Sequence, residues 1–174
     1  DKIYKELLLH KETKLIAIKG LIRSKVEKGD LKLALKLAEK AVVLKPKNLQ
    51  TLNTLFKLQC DFEDWPGARK TLLALQNIEK NTREIRLRQE ALLLFSDAKK
   101  ERSKGNTKLA LEKIRECIRK SPGLVPAVCQ ASELEKIAGK VKNGERLIKT
   151  CWKIEPHPDL AKSFAALYPD ETTP

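Results

Sequence analysis

Small and apolar residues recur along this chain at intervals of three, four and seven, the spacings that place side chains on one face of an α-helix. Ala34, Ala38 and Ala41 mark one such face, and Leu160, Phe164 and Leu167 mark another. The pattern predicts helices at 2–10 merging into 13–27, then 31–44, 49–61, 66–77, 83–103, 107–120, 124–137, 141–153 and 158–167. Thr82 stands where it can cap the long helix 83–103, and Pro156-His157-Pro158 bends the chain into the last one. Residues 170–174 read as a tail.

The pattern repeats. Lys28-Gly-Asp-Leu-Lys-Leu-Ala34 returns as Glu63-Asp-Trp-Pro-Gly-Ala68, as Lys104-Gly-Asn-Thr-Lys-Leu-Ala110, and as Ala138-Gly-Lys-Val-Lys-Asn-Gly144. From Ala34 to Ala68 is 34 residues, from Ala68 to Ala110 is 42, and from Ala110 to Gly144 is 34 again. A helical hairpin explains why these positions are small: the second helix crosses closest to the first at Ala34, Ala68, Ala110 and Gly144. Ala41, Cys117 and Cys151 follow two turns later on the same face. Gly29, Gly105 and Gly139 fall in the tight turn within each hairpin, where a positive φ is expected. Pro46, Pro122 and Pro156 follow the second helices, which a proline cannot continue. The second repeat departs from this scheme, with Glu63 at the turn-glycine position and Lys80 at the proline position.

A period of 34 with these residues resembles the tetratricopeptide repeat (TPR). The resemblance implies a right-handed α-solenoid of about four TPR-like hairpins with a C-terminal capping helix. We take 1–174 as a single repeat domain, with repeats near 15–48, 49–82, 83–123 and 124–157 and the capping helix at 158–167. Such a cap hides the apolar edge of a terminal repeat.

Composition narrows the class. The 174 residues are long enough to bury a core, and 34% are charged against 5% aromatic, which suits a helix-rich chain and excludes collagen-like or disulfide-scaffold proteins. Apolar runs such as Ala91–Phe95 fall far short of a membrane span. The chain contains no Met and begins at Asp1, so we expect it to be a piece of a longer polypeptide. Cys60, Cys117, Cys129 and Cys151 show no CxxC spacing and no clustered His, which argues against zinc. They read as small buried residues, although an even count leaves disulfide pairing open. Cys117 and Cys151, in equivalent places of successive repeats, are expected beyond bridging distance.

The net charge of +13 is concentrated in residues 1–50, with 13 Lys or Arg against 6 Asp or Glu. It is compatible with a nucleic acid, an anionic membrane surface, an acidic partner, or a merely solvated surface. Lys outnumbers Arg 27 to 9, and no aromatic platform is interleaved with the basic residues, so no nucleic-acid partner is expected. TPR stacks present the first helix of each hairpin on a concave face. Here that register holds Lys19, Arg23, Asn53, Lys57, Phe95, Lys99 and Arg102, a basic groove suited to a carboxylate or an acidic peptide segment. The alternative is an exposed, solvated helix face. No catalytic constellation is present: His10 and His157 stand far apart, no Gly-rich phosphate loop occurs, and Glu133 and Glu135 point to different sides of their helix. The sequence argues against an enzyme. Trp65 and Trp152 are expected to fill space between hairpins, and His157 to cap the last helix or face water.

Two stretches carry a more specific resemblance. Residues 52–73 (Leu-Asn-Thr-Leu-Phe-Lys-Leu-Gln-Cys-Asp-Phe-Glu-Asp-Trp-Pro-Gly-Ala-Arg-Lys-Thr-Leu-Leu) are one. Residues 120–167, with Ser-Pro-Gly-Leu-Val-Pro-Ala at 121–127 and Cys-Trp-Lys-Ile-Glu-Pro-His-Pro-Asp-Leu-Ala at 151–161, are the other. With Arg86-Leu-Arg-Gln-Glu-Ala-Leu-Leu, they resemble the C-terminal part of the HemY-type membrane proteins of proteobacteria, the alphaproteobacterial branch in particular. The resemblance runs over nearly the whole chain. It implies a bacterial inner-membrane protein with an N-terminal anchor outside this sequence and this domain on the cytoplasmic side. It also implies a link to late haem or porphyrin biosynthesis and a non-enzymatic scaffold role toward haem-pathway enzymes. The unrelated protoporphyrinogen oxidase that shares the name has a flavin-binding Gly-rich motif, which this chain lacks. No catalytic residues transfer, and Pro126, Trp152, Pro156, His157 and Pro158 look structural. No cofactor is expected; the alternatives are a general peptide-binding adaptor and a tetrapyrrole carrier in which Cys151 or His157 would ligate haem iron.

Overall fold

The computed structural model describes residues 13–169. Nine helices and no strand occur among the described residues: α1 (Lys14–Glu27), α2 (Leu31–Leu44), α3 (Leu49–Asp61), α4 (Trp65–Ile78), α5 (Arg83–Ser103), α6 (Thr107–Lys120), α7 (Val125–Ile137), α8 (Val141–Trp152) and α9 (Pro158–Leu167). These bounds lie within a residue of those the apolar periodicity predicts. The helix expected at 2–10, His10 and the tail at 170–174 lie outside the described residues. The chain forms two compact units that divide between Asn81 and Thr82. In the first, α1 pairs with α2 and α3 with α4. In the second, α5 pairs with α6 and α7 with α8, and α9 packs on α7 and α8.

Each hairpin closes on a left-handed residue. Gly29, Gly105 and Gly139 have φ of 74°, 83° and 73°, and the residue after each donates its amide back five residues into the first helix: Asp30 to Lys25, Asn106 to Glu101 and Lys140 to Glu135, at 2.8–2.9 Å. This is the Schellman closure, which satisfies carbonyls that a helix end leaves open. In the second hairpin the same bond runs from Asp64 to Gln59, and Glu63 takes the left-handed position at φ 52°. A side chain there is strained by about 1 kcal/mol relative to glycine. The helices that follow are capped from the sequence: Asp30, Asn48, Asp64 and Thr82 accept from the amides of Leu33, Thr51, Gly67 and Ile85.

The seams are packed as the repeat predicts. Ala34, Ala68 and Ala110 have no exposed surface, and a Cβ added at Gly144 would lie 3.1 Å from the Ser132 carbonyl oxygen and 3.2 Å from its Cα. Two turns on, Ala41, Leu75, Cys117 and Cys151 are buried too. Around these seams the first unit buries Ile18, Ile22, Leu55 and Leu58, and the second buries Leu94, Ile114, Leu124 and Leu134. All four cysteines are free thiols, and burial together with the Glu116 charge pushes Cys117 up to about 12. Beneath α9, Val125, Val128, Ile148 and Cys151 meet Leu160 and Leu167, the apolar face expected of the final helix.

Two expectations fail. Cys60 and Cys129 are only partly buried, unlike Cys117 and Cys151 at the seams. Trp152 is 42% exposed and fills no gap between hairpins. It is the last residue of α8, and the seam there is occupied by Cys151; one residue further along a helix turns the side chain about 100° away. Trp65, at the start of α4, is half-buried, and its Nε1 is shielded from water without an acceptor.

A buried polar position recurs at the C-terminal end of each first helix from α3 onward. Gln59 accepts from the Thr71 hydroxyl at 2.7 Å; Glu101 accepts from Lys104 at 2.8 Å and Asn106 at 2.7 Å; Glu135, 1% exposed, accepts from Arg115 Nε at 3.0 Å and Asn143 at 3.4 Å. Arg115 belongs to α6 and Glu135 to α7, so this bond ties successive hairpins together.

Three glycine-position variants separate sterics from backbone strain. Gly144→Val forces branched carbons against the Ser132 backbone and should cost about 1–3 kcal/mol. Gly105→Ala meets no neighbouring atom, and its φ alone should cost about 1 kcal/mol, whereas Glu63→Gly should gain a similar amount. Urea midpoints of the three variants against the parent test this order. In a pH series, the Lys104 and Asn106 hydrogen bonds hold Glu101 below its ordinary range. Its stabilisation is therefore present above the unfolded pKa and lost as pH falls through the lower folded value. Stability of Glu101→Gln should fall less steeply on acidification, with the two curves converging at the acid end.

Candidate functional site

The first helices of the second unit's hairpins and the final helix line an open groove of about 1040 Å³. From α5 come Lys99, Arg102 and Ser103; from α7, Pro126, Cys129, Gln130, Ser132, Glu133 and Lys136; from α9, Asp159, Lys162, Ser163, Ala166 and Leu167. Four cations and two carboxylates face this space. Their placement follows the repeat: advancing Phe95, Lys99 and Arg102 by 34 residues reaches Cys129, Glu133 and Lys136.

The charges are partly neutralised within the wall. Arg102 donates from both terminal nitrogens to Glu133, at 2.9 and 2.6 Å, and this bidentate bond raises the guanidinium pKa further. Lys136 Nζ donates to the Ala166 carbonyl at 2.5 Å, where the last turn of α9 presents unsatisfied oxygens. Lys162 stands 3.5 Å from Asp159, and the Cys129 thiol donates to the Asp159 carbonyl at 3.6 Å. Lys99 has no carboxylate partner among the described residues; its Nζ lies 5.8 Å above the Phe95 ring.

Of the seven groove residues expected from sequence, Lys99 and Arg102 line this groove. Phe95 is partly buried against the core of the second unit. In the first unit, Lys19 Nζ donates to Gln50 at 2.8 Å, Arg23 pairs with Glu27 one turn along α1, and Asn53 and Lys57 are exposed on α3. The contributions of α7 and α9 escaped the sequence reading, although the 34-residue period that places Lys99 and Arg102 also points to Glu133 and Lys136. The Arg102–Glu133 pair carried no sequence signal beyond that register.

The residues considered for haem ligation have other engagements. His157 Nδ1 accepts the Asp159 amide at 3.1 Å as the N-cap of α9, as expected, and Cys151 is buried with its thiol pKa raised by desolvation. Among the described residues no group of three or more His, Cys, Asp or Glu is placed to hold a metal ion, and no helix is long and apolar enough to cross a membrane.

Left-handed turn closures, small-residue seams and a groove lined by first helices define the class: an all-α protein of TPR-like hairpins, of the α-solenoid type. Among solved structures it is similar to a crystal structure of MamA, with 16% identity over 85% of this chain and 82% of that one and a TM-score of 0.51. A MamA from Desulfovibrio magneticus RS-1 aligns with 10% identity over 88% and 82% of the two chains at a TM-score of 0.46. A thermophilic TPR protein from Thermus thermophilus aligns with 20% identity over 91% and 83% at 0.39. The first of these carries the likeness, which is one of fold. Neither a protein-family model nor a curated protein matches the sequence.

The Arg102–Glu133 pair is half exposed, and such pairs contribute at most about 1 kcal/mol. Glu133→Gln should therefore move the urea midpoint of the protein little; a loss above about 2 kcal/mol would mean that the pair is structural and does not serve the groove.

Proposed function

We propose that this chain is a non-enzymatic, protein-binding scaffold whose second unit holds an acidic segment of a partner in the groove between α5, α7 and α9. One observation carries the reading: three successive groove helices each contribute at least one cation, and Lys99 is left without a carboxylate. An incoming carboxylate meets Lys99 directly and competes with Asp159 for Lys162 and with Glu133 for Arg102, while the Gln130 and Ser163 side chains can bond a peptide backbone. The resemblance to HemY-type proteins supports a finer form of the proposal. In it the scaffold works at the bacterial inner membrane, on the cytoplasmic side, and the partners are enzymes of late haem or porphyrin biosynthesis.

The test is capture from detergent-solubilised membranes by the parent protein, by Lys99→Glu/Lys162→Glu, by Arg23→Glu/Lys57→Glu and by Glu133→Gln, with the retained proteins identified. The groove assignment predicts that Lys99→Glu/Lys162→Glu weakens retention about tenfold and that Glu133→Gln strengthens it by freeing Arg102. Retention equal in the parent and in Lys99→Glu/Lys162→Glu sinks the groove. Loss confined to Arg23→Glu/Lys57→Glu moves the site to the first unit. Haem-pathway enzymes among the retained proteins support the finer form, and their consistent absence removes it.

A further inference from the structure

The outer side of α2 differs from that of α6, and unlike the equivalent stretch of α8 (Lys142, Arg146, Thr150, Lys153) it ends on an exposed aliphatic residue. On α6, Lys108, Glu112, Glu116 and Arg119 mix both signs; the matching positions of α2 are Lys32, Lys36, Lys40 and Val43. Steps of four, four and three keep these side chains within about 80° on a helix of 3.6 residues per turn. All four are exposed, Val43 at 80%. Glu39 is the one carboxylate on this side, and among the described residues no ion pair joins Lys32, Lys36 or Lys40 to any carboxylate. Three basic residues of α6 off this stripe are paired: Lys113 with Asp97, Lys120 with Glu90 and Arg115 with Glu135.

The stripe ends in aliphatic residues. Leu44 is 43% exposed beside Val43, at positions where α6 carries Arg119 and Lys120, and the turn beyond adds exposed Lys45 and Lys47. Val43 and Leu44 are both exposed to solvent, so core packing does not account for aliphatic residues at these sites. A lysine row is a set of strongly hydrated point charges, suited to diffuse attraction by a negative surface more than to bidentate readout. Exposed aliphatic groups beside it suit the boundary between headgroups and acyl chains.

We propose that this side of α2 docks on the surface of an anionic lipid bilayer, with Lys32, Lys36 and Lys40 against headgroup phosphates and Val43 and Leu44 entering the interface. The proposal rests on the first unit alone and does not depend on the groove.

Flotation of the whole chain with vesicles tests it, using phosphatidylcholine alone and phosphatidylcholine with about one-third phosphatidylglycerol. The expected result is binding to the anionic vesicles only. Lys36→Gln/Lys40→Gln should weaken it about thirtyfold, at about 1 kcal/mol per cation. Val43→Asn should weaken it several-fold at unchanged charge. Lys142→Gln/Arg146→Gln removes the same charge from exposed positions of α8 and should stay within about twofold of the parent. Equal losses in the two double variants would reduce the effect to net charge and overturn the proposal, as would no binding to anionic vesicles. Duplex DNA binding lost in Lys36→Gln/Lys40→Gln while vesicle binding persists would assign the stripe to nucleic acid and overturn it too.

Discussion

The structure depends on how closely two helices can approach within a hairpin. Ala34, Ala68, Ala110 and Gly144 leave at most one methyl group between the backbones, and the seam at Gly144 is tight enough that a single Cβ would press on Ser132. Close packing of this kind leaves little room to collapse or expand, so seam volume sets the register of each pair. Once register is set, the left-handed turn residue falls at a fixed place and the buried Gln59, Glu101 and Glu135 meet their partners. In the second unit the outward sides of the first helices α5 and α7 then become part of the groove wall. The chemistry of the site is thus downstream of four small residues that take no part in it.

This constraint explains what was legible beforehand. Small residues at spacings of 34, 42 and 34, and in three of the four repeats a turn glycine five residues before and a proline after the second helix, are local and steric, so they are written plainly in the residues. Even the exception was visible, because Glu63 stands where Gly29, Gly105 and Gly139 do, and it adopts their positive φ. Trp152 was misplaced for the converse reason. Size and hydrophobicity suggested burial, but a helix face is decided by register, and Cys151 holds the inward position. The groove was half legible: the first-helix register found Lys99 and Arg102, while Glu133, Lys136 and the residues of α9 required the period to be carried forward. Which cation finds which carboxylate is a matter of rotamer and distance, and for Arg102 only coordinates supply it.

Charge is handled differently at the two surfaces proposed to bind. In the groove of the second unit, Arg102 and Lys136 are engaged by Glu133 and the Ala166 carbonyl, so a ligand exchanges existing bonds for its own. Exchange of this kind favours specificity over raw affinity, because a ligand that places its carboxylate poorly loses more than it gains. On α2 of the first unit the lysines have no such internal competitors and act through their summed field, which is long-ranged at low salt and nonspecific in detail.

The most direct test of the binding account is an amide chemical-shift map of the protein titrated with a glutamate-rich peptide. The account predicts that perturbations gather on α5, α7 and α9, at Lys99, Gln130, Glu133, Lys136 and Ser163, and saturate with one peptide per chain. Shifts scattered over the outer faces of α6 and α8, or a non-saturating drift across the lysines, would contradict it.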